Sequence, residues 1–411
     1  IWLEEYRIDG FRFDATRMIG WDMNQLHFGL PSWTSAISSM DSTIYQIAEH
    51  LPSDPWLIDN TDFTSGWHDS FHDVIKSDVH GNYNGTMDLM RQVVQLHEYS
   101  NWGDPYSNRN QAVKYMISHD EQSVIQEMVV FNNFTIDEAR QRDKFYANIL
   151  FTSLGIPMLF QGQEFGFMSG WDDENNNGNY DEEKLQYRPI DWSLLDSEIG
   201  QSHLDHYSKL ILFRKSNPAL YRGQFHDLYR YSNEKVIVYG YEDQSEENNN
   251  DEVVVIANFS TMDQNITNIP FLSNGQWYDI FGDYAIDVTE NSNYDYFEIP
   301  NKTAIIFSNR QWNLNIDNHN NVPEDFSYFN CYPNPFNDQL TIKFFAFEAK
   351  EAKINIFDLN GKKIYANEIK NISSGENFLK WNAMTNDGLK LSSSVYIVSI
   401  TYGTEVLNQK I

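Results

Sequence analysis

The periodicity of this chain changes near residue 220, and that change limits the folds open to it. Before it, short apolar runs alternate with longer polar stretches of helical period, the pattern of strand-helix units around a parallel sheet. Strand candidates are residues 6–13, 44–48, 112–117 and 156–160, with a weaker one over 62–67. Thr135 followed three residues later by Glu138 reads as a capping box, and Phe145 with Ile149 and Tyr146 with Leu150 continue it as a helix. A second helix is expected over 202–216, stopped by Asn217 and Pro218. After Ala219 come short strands, such as 235–241, 251–259 and 303–307, separated by Asn, Gly, Asp and Ser clusters. The acidic stretch 243–252 reads as a solvated hairpin loop. Residues 313–327 read as a linker, and a second all-β block runs from 328 to 411.

Composition removes several function classes. Lys and Arg number 29 against 59 Asp and Glu, a net charge of −30 that repels phosphate backbones and anionic lipid, so nucleic acid is not an expected partner. A single cysteine, Cys331, cannot form an internal bridge. The longest apolar runs fall short of the about 18 residues a membrane helix needs, so no integral membrane segment is expected. GxGxxG, P-loop and CxxC patterns are missing, which leaves nucleotide, zinc and organic-cofactor chemistry without support.

Three carboxylates stand where strand candidates end. Asp14 closes Gly-Phe-Arg-Phe, Glu49 follows Gln-Ile-Ala, and Asp120 follows Ile-Ser-His. Glu49 comes 35 residues after Asp14, and Asp120 comes 71 after Glu49, about twice that interval. In a (β/α)8 barrel, reactive groups sit at the C-terminal ends of several strands, so equal phase would gather all three around one mouth. Paired carboxyls suit glycoside hydrolysis, because an oxocarbenium-like transition state needs an anion on one face and a proton donor at the leaving oxygen. Arg12, two residues before Asp14 on the same strand face, would keep Asp14 ionised. The residues alone equally allow Arg12 and Asp14 to be a structural ion pair.

The segments Asp9-Gly-Phe-Arg-Phe-Asp-Ala15, Ile47-Ala-Glu-His50 and Ile117-Ser-His-Asp120 resemble signature regions of the α-amylase family, glycoside hydrolase family 13. Gly155-Ile-Pro-Met-Leu-Phe-Gln-Gly-Gln-Glu-Phe-Gly166 is similar to that family's last barrel strand, and the following all-β region resembles the domain found there after the barrel. The resemblance spans about residues 1–312. It implies a multidomain chain: a partial (β/α)8 TIM barrel over 1–220, an all-β sandwich domain over 221–312, the linker, and a C-terminal immunoglobulin-like β-sandwich. It also implies Asp14 as the nucleophile, Glu49 as general acid and base, Asp120 as transition-state stabiliser, and Arg12 and His119 as holders of the nucleophile and the sugar hydroxyls. The expected substrate is an α-glucan polysaccharide or oligosaccharide, cleaved with retention through carboxyl groups about 5 to 5.5 Å apart.

Departures are visible. Ala15-Thr16-Arg17 lacks the Lys-His pair many amylases place after the nucleophile, and Ser118 replaces the commoner Asn, a variant met among branching enzymes. A branching transferase and a non-catalytic surface glycan-binding protein are therefore the alternatives. An eight-stranded barrel takes about 250 residues, yet five strand candidates precede the all-β region, and the first resembles the family's fourth strand. Three more strand-helix units are expected upstream, and the 411 residues alone are expected to fold poorly or to be inactive.

Trp67 and His68 in Trp-His-Asp-Ser-Phe-His-Asp73 are candidates for sugar stacking and hydroxyl binding, against a reading as core and loop residues. Asp173, Asn175, Asn177, Asn179 and Asp181 resemble the start of a calcium loop, which would hold structural calcium, although Lys184 occupies the twelfth position; the alternative is an acidic surface loop. In the last block, Tyr332-Pro-Asn-Pro-Phe336, strands near 339–345, 353–359 and 394–401 and an Asn360-Gly361 turn resemble the C-terminal sorting domain of the type IX secretion route. That resemblance implies secretion machinery as a partner, export across an outer membrane, and a secreted or cell-surface location. A carbohydrate-binding module is the competing reading, with Trp381 and scattered tyrosines as its stacking surface.

Overall fold

The computed structural model describes the chain except residues 4, 20–28, 82–85, 99–104, 172–185, 246–249, 283, 290, 315–328, 347–350, 371, 373–374, 393 and 403–404. It divides into two compact units, Ile1–Asn315 and Ile316–Ile411.

The first unit opens with five parallel strands, β1 (Gly10–Phe13), β2 (Tyr45–Ala48), β3 (Ser65–Trp67), β4 (Ala112–Tyr115) and β5 (Ile156–Met158), hydrogen-bonded in chain order. Among the described residues β1 and β5 have one partner each, so this is an open five-stranded sheet. Its strand order is that of consecutive (β/α)8 units. Gly10 is needed where it stands, because a Cβ there would run into the Tyr45 carbonyl of β2. The strands are shorter than the sequence suggests; β4 stops at Tyr115, and Met116 to Asp120 continue as a loop.

Helices α1 (Leu30–Met40), α2 (Pro55–Asp59), α3 (Asp69–Val79), α4 (Thr86–Val94), α5 (Val124–Asn132) and α6 (Ile136–Thr152) join these strands, and α7 (Glu198–Ser216) and α8 (Pro218–Tyr221) follow β5. Thr135 and Glu138 form the expected capping box at the start of α6. Helix α7 starts four residues earlier than periodicity suggests, because the Ser197 side chain accepts the Gly200 N–H and sets the first turn there.

The all-β part of this unit has a six-stranded sheet in the order β11 (Ala285–Val288), β10 (Gly275–Asp279), β13 (Thr303–Ser308), β8 (Asp251–Asn258), β7 (Val236–Asp243), β6 (Gln224–Tyr231). A two-stranded ribbon of β9 (Gln264–Pro270) and β12 (Asn293–Ile299) covers one face, where Val254, Ile256 and Phe307 meet Ile266 and Ile299. The other face packs Tyr239, Val255 and Ile306 on α6 and α7 side chains Phe145, Ile149 and Tyr207. Burial on both faces explains the unbroken apolar run Val253-Val-Val-Ile-Ala257. The regions divided at residue 220 in the sequence therefore share one core. The buried Lys302–Asp78 pair ties them further, with Nζ 2.6 Å from Oδ2 and the Tyr146 hydroxyl 2.7 Å from the same oxygen.

The second unit has two antiparallel sheets. One is β14 (Phe329–Asn337), β15 (Gln339–Ala346) and β18 (Gly375–Trp381); the other has the order β17 (Lys363–Ile369), β16 (Ala352–Asp358), β19 (Tyr396–Tyr402), β20 (Glu405–Lys410). Leu340, Ile342 and Trp381 of the first pack on Ile354, Ile356, Val398 and Ile400 of the second, the core of a β-sandwich.

Candidate active site

Register and pleat decide which side chains meet on the parallel sheet. Arg12 pairs with Ile47, Ile47 with Ser65, and Trp67 with Val113, so Arg12, Ile47, Trp67 and Val113 share a face. Asp14 lies two residues beyond Arg12 and Glu49 two beyond Ile47, which sends both carboxylates from that face.

Arg12 joins them. Its Nη1 donates to Asp14 Oδ1 at 2.5 Å, and its Nη2 lies 2.6 Å from Glu49 Oε1 as an ion pair without hydrogen-bond alignment. Glu49 is nearly buried, and its Oε2 accepts the Ala15 N–H at 2.7 Å. Ala15 has φ 42° and ψ 48°, a left-handed conformation that points its N–H at the carboxylate. Buried Thr16 holds this turn from behind: its N–H and hydroxyl both donate to the Glu49 carbonyl at 2.8 Å, and the hydroxyl also meets His50 Nδ1 at 2.9 Å. Asp14 is open to solvent. Hydrogen bonding and charge from Arg12 hold its carboxyl below the usual carboxylate range, with His119 acting in the same direction.

Asp120 stands further out than equal phase suggested. Asp14 and Glu49 directly follow their strands, whereas Asp120 comes five residues after Tyr115, because β4 ends early. It reaches the cluster through its neighbour: His119 Nε2 is 3.0 Å from Asp120 Oδ2, and the His119 ring stands edge-on to Trp67 at 6.2 Å. Both side chains are more than half exposed.

Trp67 and His68 are corrected by the structure. Trp67 is 6% exposed and packs among Val113 and Tyr115, so it offers no open face to a sugar ring. It serves as a pedestal instead, with the Arg12 guanidinium carbon 4.4 Å above its ring. Sequence reasoning missed this role, although the shared sheet face of Arg12 and Trp67 is the signal that carries it. His68 is wholly buried; its Nδ1 accepts the Phe71 N–H at 3.2 Å and caps α3, which turns the ring away from solvent. Asp173, Asn175, Asn177, Asn179 and Asp181 lie outside the described residues. Among the described residues, no group of three or more His, Cys, Asp or Glu side chains could hold a metal ion. No described helix is long and apolar enough to cross a membrane.

Residues 330–411 match the family model of the secretion system C-terminal sorting domain, which indicates export and a secreted or cell-surface location. A pullulanase of Bacillus subtilis is 24% identical over 238 residues, 53% of this chain and 31% of its own length. Alpha-amylase 2 of Dictyoglomus thermophilum is 24% identical over 228 residues, 54% of this chain and 36% of its own. The chain thus spans about a third of the length of these relatives. Among solved structures, the pullulanase of Paenibacillus barengoltzii superposes with a TM-score of 0.56 at 21% identity, covering 75% of this chain and 48% of that one. The α-amylase of Geobacillus thermoleovorans, solved with acarbose, gives 0.53 at 17% identity, covering 76% and 62%. The branching alternative has no counterpart in these likenesses. Residues 330–411 are a secretion system C-terminal sorting domain, and the body before them has the fold of pullulanases and α-amylases and is related to them in sequence.

Proposed function

We propose that this protein is an exported glycoside hydrolase that cleaves α-glucans with retention, through Asp14 as nucleophile, Glu49 as general acid and base, and Asp120 as stabiliser of the transition state. The observation that carries the reading is the single Arg12 guanidinium in contact with both Asp14 and Glu49. Carboxyls sharing one guanidinium suit the close spacing of retaining enzymes, about 5 to 5.5 Å, better than the 6.5 to 9.5 Å, roughly, that leaves room for an inverting water. Asp14 is exposed and biased toward its ionised form, as an attacking carboxylate needs. Glu49 has both oxygens engaged, by Arg12 and by the Ala15 N–H, so the acid role requires a sugar oxygen to displace one of them. His119 and Asp120, both more than half exposed beside the cluster, would meet sugar hydroxyls. The neighbours' names, pullulanase and α-amylase, support an α-linked glucan as substrate, and the sorting domain supports the secretion machinery as a partner.

The test is proton NMR of the anomeric signals during incubation of amylose and pullulan with the protein expressed from its whole reading frame. An α-configured first product, abolished by Asp14→Asn, is expected; a β-configured product, or turnover that survives Asp14→Asn, refutes the assignment.

A further inference from the structure

One buried ring grips both ends of the segment that carries His119 and Asp120. His72 stands in the first turn of α3 and is 5% exposed. Its Nδ1–H donates to the Met116 carbonyl at 2.8 Å, and its Nε2 lies 3.6 Å from Glu121 Oε2. Met116 is the first residue after β4, and Glu121 directly follows Asp120, so His119 and Asp120 lie between the two contacts. The ring stacks on Tyr115 of β4, with centres 5.6 Å apart and planes 18° from parallel, and the Tyr115 hydroxyl donates to Asp69 Oδ1 at 2.8 Å, back on α3. Within the segment, the Asp120 N–H meets Ser118 Oγ at 3.2 Å and the Glu121 N–H meets the Ser118 carbonyl at 3.4 Å. These bonds close a turn, so a displacement of Glu121 carries Asp120 with it.

The two partners dictate the protonation of the ring. A carbonyl and a carboxylate both accept and neither donates, so only an imidazolium, with N–H on both nitrogens, serves both at once. A neutral ring keeps its proton on Nδ1 for Met116 and turns a lone pair toward the Glu121 carboxylate. Asp69, Asp73 and Lys76 of α3, Tyr115 of β4 and Glu121 of the loop face the ring. Beyond Lys76 lies Glu127 of α5, which also pairs with His80. Lys76 Nζ is 3.4 Å from Glu121 and 3.3 Å from Glu127. Burial alone would strip the proton from His72, but Glu121, the Met116 carbonyl and Asp73 outweigh it and hold the imidazole above its ordinary value of 6.5. Burial would likewise raise Glu121, but His72 and Lys76 reverse that and hold it down to about 2.

We infer that His72 is a positioning residue for the reaction, an imidazolium brace that sets where His119 and Asp120 stand by holding Met116 and Glu121. The inference rests on the hydrolase reading above. Being buried, the ring acts through the loop and not on the sugar. While it is charged the turn is held at both ends. Once it loses its proton the Glu121 end is released, Asp120 moves from its place beside the cluster, and kcat falls on the alkaline side.

The test uses the protein expressed from its whole reading frame. In nuclear magnetic resonance with isotopically labelled histidine, the signal that vanishes in His72→Asn reports this ring. It should titrate above 6.5 and move down by about one pH unit in Glu121→Gln. The alkaline limb of kcat on amylose should move with it. Removing the Glu121 charge also acts on Glu49 through space, so the deciding comparison is made in the His72→Asn background, where Glu121→Gln should leave the limb in place. His72→Asn keeps an amide N–H for Met116, and should lower kcat at about pH 6 by about tenfold, as a displaced stabilising group does, with unchanged far-ultraviolet circular dichroism. His72→Gln takes its place if that variant does not fold. A limb that moves equally in both backgrounds, or a His72 signal indifferent to Glu121→Gln, overturns the brace. Failure of the hydrolase reading shows separately, as amylose left uncut at every pH. The brace is then judged on the His119 signal, which should step at the His72 midpoint in the parent and lose that step in the His72 variant; a His119 signal that ignores His72 overturns it.

Discussion

Glu98 is fully buried, and replacing it with Gln should remove a penalty that grows with pH. Burial pushes its carboxyl up to about 8 from an ordinary value of 4.5. The Ser70 hydroxyl donates to Oε2, while Oε1 has no hydrogen-bond partner among the described residues. His68 lies 3.5 Å away, but burial and the charge of Lys114 hold that imidazole well below its ordinary range, so the two groups face each other uncharged rather than as an ion pair. Between pH 4.5 and 8 the unfolded chain has released this proton and the folded chain still holds it. Folding stability is therefore fully present below pH 4.5 and lost as pH rises through about 8, at about 1.4 kcal/mol per unit. From pH 5 to 7.5 the loss is about 3 kcal/mol. Gln cannot ionise, so Glu98→Gln should flatten this part of the curve, against a constant cost of about 1 to 3 kcal/mol for an amide with imperfect partners. Urea unfolding of both proteins at pH 5 and 7.5 gives the difference of differences, in which the constant cost cancels. A variant whose stability falls with pH as steeply as the parent's, within about 1 kcal/mol, would refute the neutral pairing and point to an imidazolium–carboxylate pair.

Three further outcomes follow from the contacts above. Lys302→Ala leaves Asp78 buried without its cation and should cost about 3 to 5 kcal/mol in urea unfolding, most of it recovered when Lys302→Met is combined with Asp78→Leu and Tyr146→Phe; a loss under about 1 kcal/mol counts against the clamp. Arg12→Met removes the main cause that lowers the Asp14 carboxyl, so the acid limb of the pH–rate profile should move to higher pH, and a limb that stays in place excludes Asp14 as its origin. Trp67→Leu takes away the pedestal under Arg12, a contact of about 0.5 to 2 kcal/mol, and should lower kcat with KM little changed; a rise in KM alone would restore Trp67 as a sugar platform.

Strands β2, β4 and β5 were legible because each is a short apolar run closed by polar loop residues, and the α6 cap because Thr135 and Glu138 stand at the required offset. The early start of α7 was hidden because Ser197 caps a turn that carries Gly200 and little apolar pattern. The apolar run 253–257 announced a strand, but not that one face packs on β9 and β12 and the other on α6 and α7. At the site, Asp14 and Glu49 could be placed together from strand phase, whereas Asp120 could not be placed closely, since where β4 ends depends on its neighbours.

What the amino-acid order determined by itself is therefore local: alternation, caps, turns, and the face from which Arg12, Asp14 and Glu49 leave their strands, all set by backbone geometry over a few residues. Tertiary structure decided how deep each side chain lies and what it touches. Trp67 became a support rather than a platform, His68 a cap rather than a ligand, and Glu98 a buried acid, because burial is imposed by packing between segments far apart in the chain.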